Sequence, residues 1–110
     1  MTVNEAAEIL EAKVLTGDGK RAITGIYACD LLSWVISHAE QGDMWVTVMN
    51  NVNILAVASL TDVACIVISD GSPVAPDLIR RAQEQEICLL SCALGTAPIV
   101  WRIAKLLGEM

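Results

Sequence analysis

Short apolar runs alternate with polar turn residues at the beginning of the chain. Thr2 and Glu5 have the Thr-x-x-Glu spacing of a capping box, which predicts a short first helix that ends near Ala12. Residues 13–16 are predicted to form a short strand, and a Gly-Asp-Gly-Lys turn follows them. A second strand is expected over residues 23–29, where apolar residues dominate again.

The middle of the chain carries a helix, a strand, a helix and a strand. Asp30 is predicted to cap a helix that runs to about Ala39. Its inner side is expected to carry Leu31, Leu32, Val35 and Ile36. A strand with β-branched residues is predicted at 44–49, and a compact apolar helix at 52–60. The continuous apolar run at 63–69 is typical of a strand buried on both faces.

The last part of the chain is predicted to hold two helices and one strand. Pro76 suits the first turn of a helix that runs to about Glu86, because proline lacks the amide proton that such a position leaves unpaired. Residues 87–91 are predicted to form the last strand. Thr96 is expected to cap a final helix that ends at Gly108.

The order of these elements predicts the fold class. Strand–helix units of roughly twenty residues favour parallel neighbours joined by right-handed crossovers. We therefore expect an α/β domain of three layers, with a mainly parallel sheet of about five strands and helices on both faces. The length of 110 residues fits a single domain over 1–110.

The net charge of −6 narrows the partners that the chain is expected to bind. An acidic surface repels phosphate backbones and anionic lipids, so neither nucleic acid nor a membrane is expected as a partner. The polar start of the chain does not have the pattern of a signal peptide, and a cytoplasmic location is expected.

Cysteine and histidine give little indication of catalysis or metal binding. Cys29, Cys65, Cys88 and Cys92 form no Cys-x-x-Cys pair, and His38 is the single histidine. Neither a metal site nor a catalytic nucleophile with a base is predicted from this set, and no cofactor is expected. A role for His38 at the negative end of its helix is favoured over catalysis. The phosphate-loop spacing of glycines and lysine is absent too.

Polar residues follow each apolar strand, and ligands of parallel sheets bind at the carboxyl ends of the strands. The candidate ligand- or partner-binding residues are Asp30, Thr47, Asn50, Asn51, Asn53, Asp70 and Ser91. The same residue types also cap helices and form turns without any ligand. The three asparagines exceed what one cap requires, which leaves Asn50 and Asn53 free for a contact if Asn51 caps the helix.

Four stretches resemble a known family: GIYACDLLSWV at 25–35, GDMWVTV at 42–48, NVNI at 51–54 and ACIVI at 64–68. They resemble stand-alone DRTGG-domain proteins of anaerobic bacteria and the DRTGG modules of CBS-domain pyrophosphatases and phosphotransacetylases. A more distant resemblance is to the N-terminal domain of the HPr kinase/phosphorylase. The resemblance implies a three-layer α/β domain that commonly forms dimers, and it implies no reaction. The Asp-Arg-centred stretch that names the family is replaced by Asn-Asn-Val-Asn at 50–53, so the arginine is missing.

The sequence and the resemblance leave three hypotheses for the function of the chain. The first is a non-catalytic regulatory or protein-interaction module, a homodimer that acts with a separately encoded partner. The second is a sensor of a small ligand, with an adenine nucleotide as the example that the CBS relatives imply, bound at the strand ends. The third is an enzyme of unknown class, which is disfavoured because no catalytic constellation is found in the sequence.

Overall fold

The helices and strands follow one another in the order that the hydrophobic pattern predicts. The computed structural model describes residues 1–108. Its elements are α1 (Val3–Leu10), β1 (Lys13–Thr16), β2 (Gly25–Ala28), α2 (Leu32–His38), β3 (Asp43–Thr47), α3 (Asn53–Thr61), β4 (Cys65–Ile68), α4 (Pro76–Glu84), β5 (Leu89–Ser91) and α5 (Thr96–Leu107). Strands β2, β4 and β5 are shorter than predicted, β1 has its predicted bounds, and β3 begins one residue and ends two residues earlier than predicted.

The strands form one sheet in the order β1-β5-β4-β3-β2. Strands β2 to β5 are parallel neighbours, and β1 pairs with β5 in the antiparallel direction. Every residue of the central strands β3 and β4 is buried. The expected three-layer α/β class with a mainly parallel sheet of five strands is confirmed, because the helices pack on both faces.

Two apolar layers hold the helices to the sheet. On one face α1 and α5 pack on inward side chains of the sheet, among them Met44, Val67 and Leu90. On the other face α2, α3 and α4 pack on the alternate set, which includes Trp45 and Ile66. Successive side chains of a strand point to opposite faces, so a strand buried on both faces is apolar throughout.

The expected cap of α2 is wrong. Leu31 is the N-cap residue and makes no side-chain cap, while the Asp30 carboxylate binds groups at the end of β3. Of the inner residues expected for this helix, only Val35 is buried; Leu31 is 58% exposed and Ile36 is 48% exposed. Helix α2 therefore carries more apolar surface than the core covers.

The expected cap of α5 is also wrong. Gly95 is the N-cap residue, and Thr96 is the first residue of the helix. The Thr96 hydroxyl lies 3.1 Å from the Ser69 hydroxyl, so it contacts the end of β4. In contrast, the capping box of Thr2 and Glu5 at the start of α1 is confirmed.

Candidate functional site

The carboxyl ends of four parallel strands lie side by side at one edge of the sheet. Strands β5, β4, β3 and β2 are neighbours in that order, so the polar residues that follow them meet there. We call this region the carboxyl rim. It is defined by the seven candidate residues Asp30, Thr47, Asn50, Asn51, Asn53, Asp70 and Ser91.

Asp30 and Thr47 come together at the ends of β2 and β3. The Thr47 hydroxyl donates a hydrogen bond of 2.8 Å to Oδ1 of Asp30, and the Val48 amide donates one of 2.9 Å to the same oxygen. Thr47 is fully buried, and its hydroxyl also accepts a hydrogen bond from the Met49 amide. The exposed Asp30 carboxylate thus fixes the loop that leaves β3.

Asn50 joins the two central loops of the rim. Its Nδ2 donates to the Ser72 hydroxyl at 3.1 Å and to the Pro73 carbonyl at 2.8 Å. The Ser72 hydroxyl donates in turn to the Val48 carbonyl at 3.2 Å. Sequence reasoning identified Asn50 but missed Ser72, although the Asp-Gly-Ser-Pro break after β4 placed Ser72 in the neighbouring loop.

Asn51 and Asn53 differ in what their side chains do. Oδ1 of Asn51 accepts the Asn53 amide at 3.0 Å, which is a local turn at the start of α3. The Asn53 side chain is exposed and forms no hydrogen bond within residues 1–108. Asn53 is therefore the rim carboxamide that is free to contact another molecule.

Asp70 and Ser91 lie at the ends of β4 and β5. The buried Ser69 hydroxyl donates to Oδ2 of Asp70 at 2.8 Å, and it also contacts the Thr96 hydroxyl. Ser91 ends β5 opposite Ile68, and its hydroxyl makes no hydrogen bond to the rest of the rim within the described chain. Sequence reasoning placed Ser69 beside Asp70 at this strand end, but it missed Thr96 as a member of the network.

Most polar side chains of the carboxyl rim thus have hydrogen-bond partners within the protein. Three grooves lie at the opposite end of the sheet. Their volumes are about 370, 300 and 210 Å³. The first and third meet at Arg21, which forms an ion pair of 2.9 Å with Asp62. The Arg21 guanidinium lowers the pKa of Asp62 by hydrogen bonding and by its charge.

Two cysteines lie near the first of these grooves. Burial, and to a smaller extent the charge of Asp18, raises the pKa of Cys88 to about 11. Burial also raises the pKa of Cys65, which is completely enclosed. A thiol must lose its proton to act as a nucleophile, so the raised pKa values disfavour a nucleophilic role for Cys65 and Cys88.

Two further observations concern metals and membranes. Within residues 1–108, His, Cys, Asp and Glu form no cluster of three that could hold a metal ion. The helices of that part of the chain all fall short of the length and apolarity that crossing a bilayer requires.

Comparison with known proteins adds a family and a similar structure. The model of the DRTGG domain family matches residues 5–106. The fold is similar to that of the CBS and DRTGG domains of the regulatory region of Clostridium perfringens pyrophosphatase, crystallised with the activator diadenosine tetraphosphate. The TM-score is 0.73 at 13% identity, over 93% of this chain and 45% of that chain. No curated protein matches the sequence significantly.

Proposed function

The chain belongs to the DRTGG domain family, and from this membership we propose that it is a non-catalytic regulatory module. It acts as a homodimer together with a separately encoded partner protein. The family match over residues 5–106 carries the proposal, because it spans nearly all of the chain. The similar structure supports it, since that structure is the regulatory region of its enzyme. The chain spans less than half of that structure, so the pyrophosphatase activity is not transferred.

A non-catalytic role agrees with the surroundings of the single histidine. The His38 ring is nearly parallel to the rings of Trp34 and Tyr27, and its Nδ1 is 2.9 Å from the Trp34 carbonyl. The cysteines with a raised pKa do not supply a nucleophile for it. A base without a nucleophile or a bound substrate group does not form a catalytic unit.

The surface that supports self-association is an apolar patch beside α2, which we call the α2 face. It consists of Leu31 and Trp34, which are 58% and 54% exposed and lie one helical turn apart. Residues 22–39 contain a single charged side chain, Asp30, in a protein of net charge −6. Two copies can therefore meet here with little charge repulsion.

Replacing Trp34 by glutamate should convert the dimer into a monomer. The charge would be buried at the centre of the α2 face, and tryptophan is the residue type that most often dominates an interface. Trp101→Glu is the matched control, because Trp101 on α5 is 53% exposed and lies under the Lys105 ammonium. Light scattering after gel filtration should give one chain mass for Trp34→Glu and two for Trp101→Glu. If both variants have the mass of two chains, the interface lies elsewhere on the protein.

The second candidate function is a small-ligand sensor at the carboxyl rim. It is supported by the nucleotide activator present in the similar structure and by the free Asn53 carboxamide. The ligand contacts would come from the seven rim residues, with an adenine nucleotide as the first compound to test. The lost arginine of the family motif favours a neutral part of the ligand at residues 50–53.

Nucleotide binding should raise the unfolding temperature of the protein. A ligand present at 100 times its dissociation constant adds about 2.7 kcal/mol to the free energy of unfolding. Thermal denaturation with ATP, AMP and diadenosine tetraphosphate measures this shift. Asn53→Ala should abolish the shift without changing the unliganded protein, since its side chain supports no other residue. If the three nucleotides leave the unfolding temperature unchanged, the sensor function is wrong.

A further inference from the structure

A groove of about 300 Å³ opens at the amino ends of β2 and β3. The start of β2 forms one wall, and the loop between α2 and β3 forms the other. Its polar lining comes from Thr24, Tyr27, His38, Glu40, Gln41 and Asp43. The groove lies at the opposite end of the sheet from the carboxyl rim, so its occupant is separate from any rim ligand.

Asp43 gives this groove a buried carboxylate, since the residue is only 8% exposed. Its Oδ2 accepts the Glu40 amide at 2.8 Å, whereas Oδ1 accepts no hydrogen bond from any residue in 1–108. Every fully buried side-chain nitrogen or oxygen in that part of the chain has a partner. Oδ1 therefore keeps some accessible surface, and Asp43 is one of the residues that line the groove.

The charge around Asp43 lacks a compensating cation. Burial raises the pKa of Asp43, the hydrogen bond from the Glu40 amide opposes the rise, and the negative charge of Glu40 adds to it. Asp43 takes part in none of the ion pairs found within residues 1–108, and Arg21 is paired with Asp62. A cation between the two carboxylates would offset both the burial of one charge and the repulsion between them.

Aromatic rings border the same groove. The rings of Tyr27 and His38 are 6.4 Å apart and within 9° of parallel, and Trp34 stacks on His38 at 4.7 Å. Tyr27 and His38 line the groove, whereas Trp34 only supports His38 from outside it. The face of a tyrosine ring attracts organic cations, and its apolar body contacts hydrocarbon chains. The groove thus combines two carboxylates with an aromatic wall.

From these contacts we infer that the groove binds a small organic cation. Its guanidinium or primary ammonium group donates to Oδ1 of Asp43 and to the Glu40 carboxylate, and its hydrocarbon part lies against Tyr27 and His38. A volume of about 300 Å³ is at the lower end of the range for small-molecule sites, which favours a cation with a short carbon chain. A metal ion is a poor fit, because residues 1–108 offer no three-ligand cluster.

A titration with a matched pair of probes tests the inference. The ¹⁵N-labelled full chain is titrated with butylguanidinium and, separately, with butylurea, which has the same shape without the charge. Butylguanidinium should give saturable shifts at the amides of residues 25–27 and 40–43. Butylurea should bind at least about tenfold more weakly, because charge-assisted hydrogen bonds are roughly twice as strong as neutral ones. Equal binding of both probes, or no saturable shift with the cation, would overturn the inference.

Variants separate a binding role of Asp43 from a purely structural one. Asp43 also closes the turn with Glu40, because its amide donates to the Glu40 carbonyl. Asp43→Asn should weaken butylguanidinium binding at least about tenfold, and Glu40→Gln about threefold, since Glu40 is exposed. Glu8→Gln on α1 is the control and should leave the affinity unchanged. If Asp43→Asn does not fold, Glu40→Gln decides, and an unchanged affinity in that variant contradicts the site.

Discussion

Replacing Trp45 by alanine should lower the free energy of unfolding by about 3–5 kcal/mol, the range for a large aromatic removed from a core. Trp45 lies in the interior strand β3 and is completely buried in the layer beneath α2 and α3. Its Nε1 donates to the Cys29 carbonyl at 3.0 Å, so the variant also leaves that carbonyl without its partner. Urea denaturation followed by circular dichroism measures the change.

Trp101→Ala is the matched control for this prediction. Trp101 is half exposed on α5, so its removal should cost less than about 1 kcal/mol. A domain of this size is stable by about 5–15 kcal/mol, so only the Trp45 variant approaches unfolding at ambient temperature. Similar losses for the two variants would mean that the core is not built around β3 as described.

The second large effect is expected at the junction of β1 and β5. The buried Thr16 hydroxyl donates to the Ile87 carbonyl and accepts the Leu89 amide, where the pairing of the two strands is irregular. Thr16→Val keeps the shape of the side chain but leaves both backbone groups unpaired. Each unpaired buried group costs about 1–3 kcal/mol, so we expect a loss of about 2–4 kcal/mol in the same urea experiment.

Thr61→Val provides the comparison for Thr16→Val. The Thr61 hydroxyl donates to the Val57 carbonyl one turn earlier in α3, and that carbonyl accepts helix hydrogen bonds in any case. The Thr61 variant should therefore lose less than about 1 kcal/mol, because no buried group is left without a partner. A Thr16 variant as stable as the Thr61 variant would show that water or a rearranged strand replaces the lost hydrogen bonds.

The fold could be predicted from the sequence because the local signals agree with one another. The run at 63–69 is apolar throughout, and the structure buries β4 on both faces. The capping box of Thr2 and Glu5 and the position of Pro76 mark the starts of α1 and α4 where the structure has them. Each of these signals depends on residues close in sequence, so no knowledge of tertiary contacts was needed.

The buried face and the cap of helix α2 could not be predicted from residues close in sequence. Its sequence is apolar on several sides, so periodicity alone did not separate Val35, which is buried, from Leu31 and Ile36, which are exposed. Asp30 and Thr96 were expected to cap helices because their side chains bind backbone amides readily. In the structure both side chains bind partners at other strand ends, a choice that only tertiary packing decides.

The candidate site was likewise predicted in part. The carboxyl rim follows from strand order, and the structure brings Asp30 to Thr47 and Asn50 to the neighbouring loop. The contribution of Ser72 was missed because hydroxyls in turns have the same pattern whether or not they join a network. The groove at Asp43 was not predictable, since it forms between residues that are distant in sequence, such as Tyr27 and Glu40.

The mass of the full chain in solution tests the central proposal most directly. Sedimentation equilibrium over a range of micromolar concentrations should give twice the mass of one chain. We expect this mass because the uncharged α2 faces of two chains pack against each other. A single species with the mass of one chain at every concentration would contradict a homodimeric regulatory module.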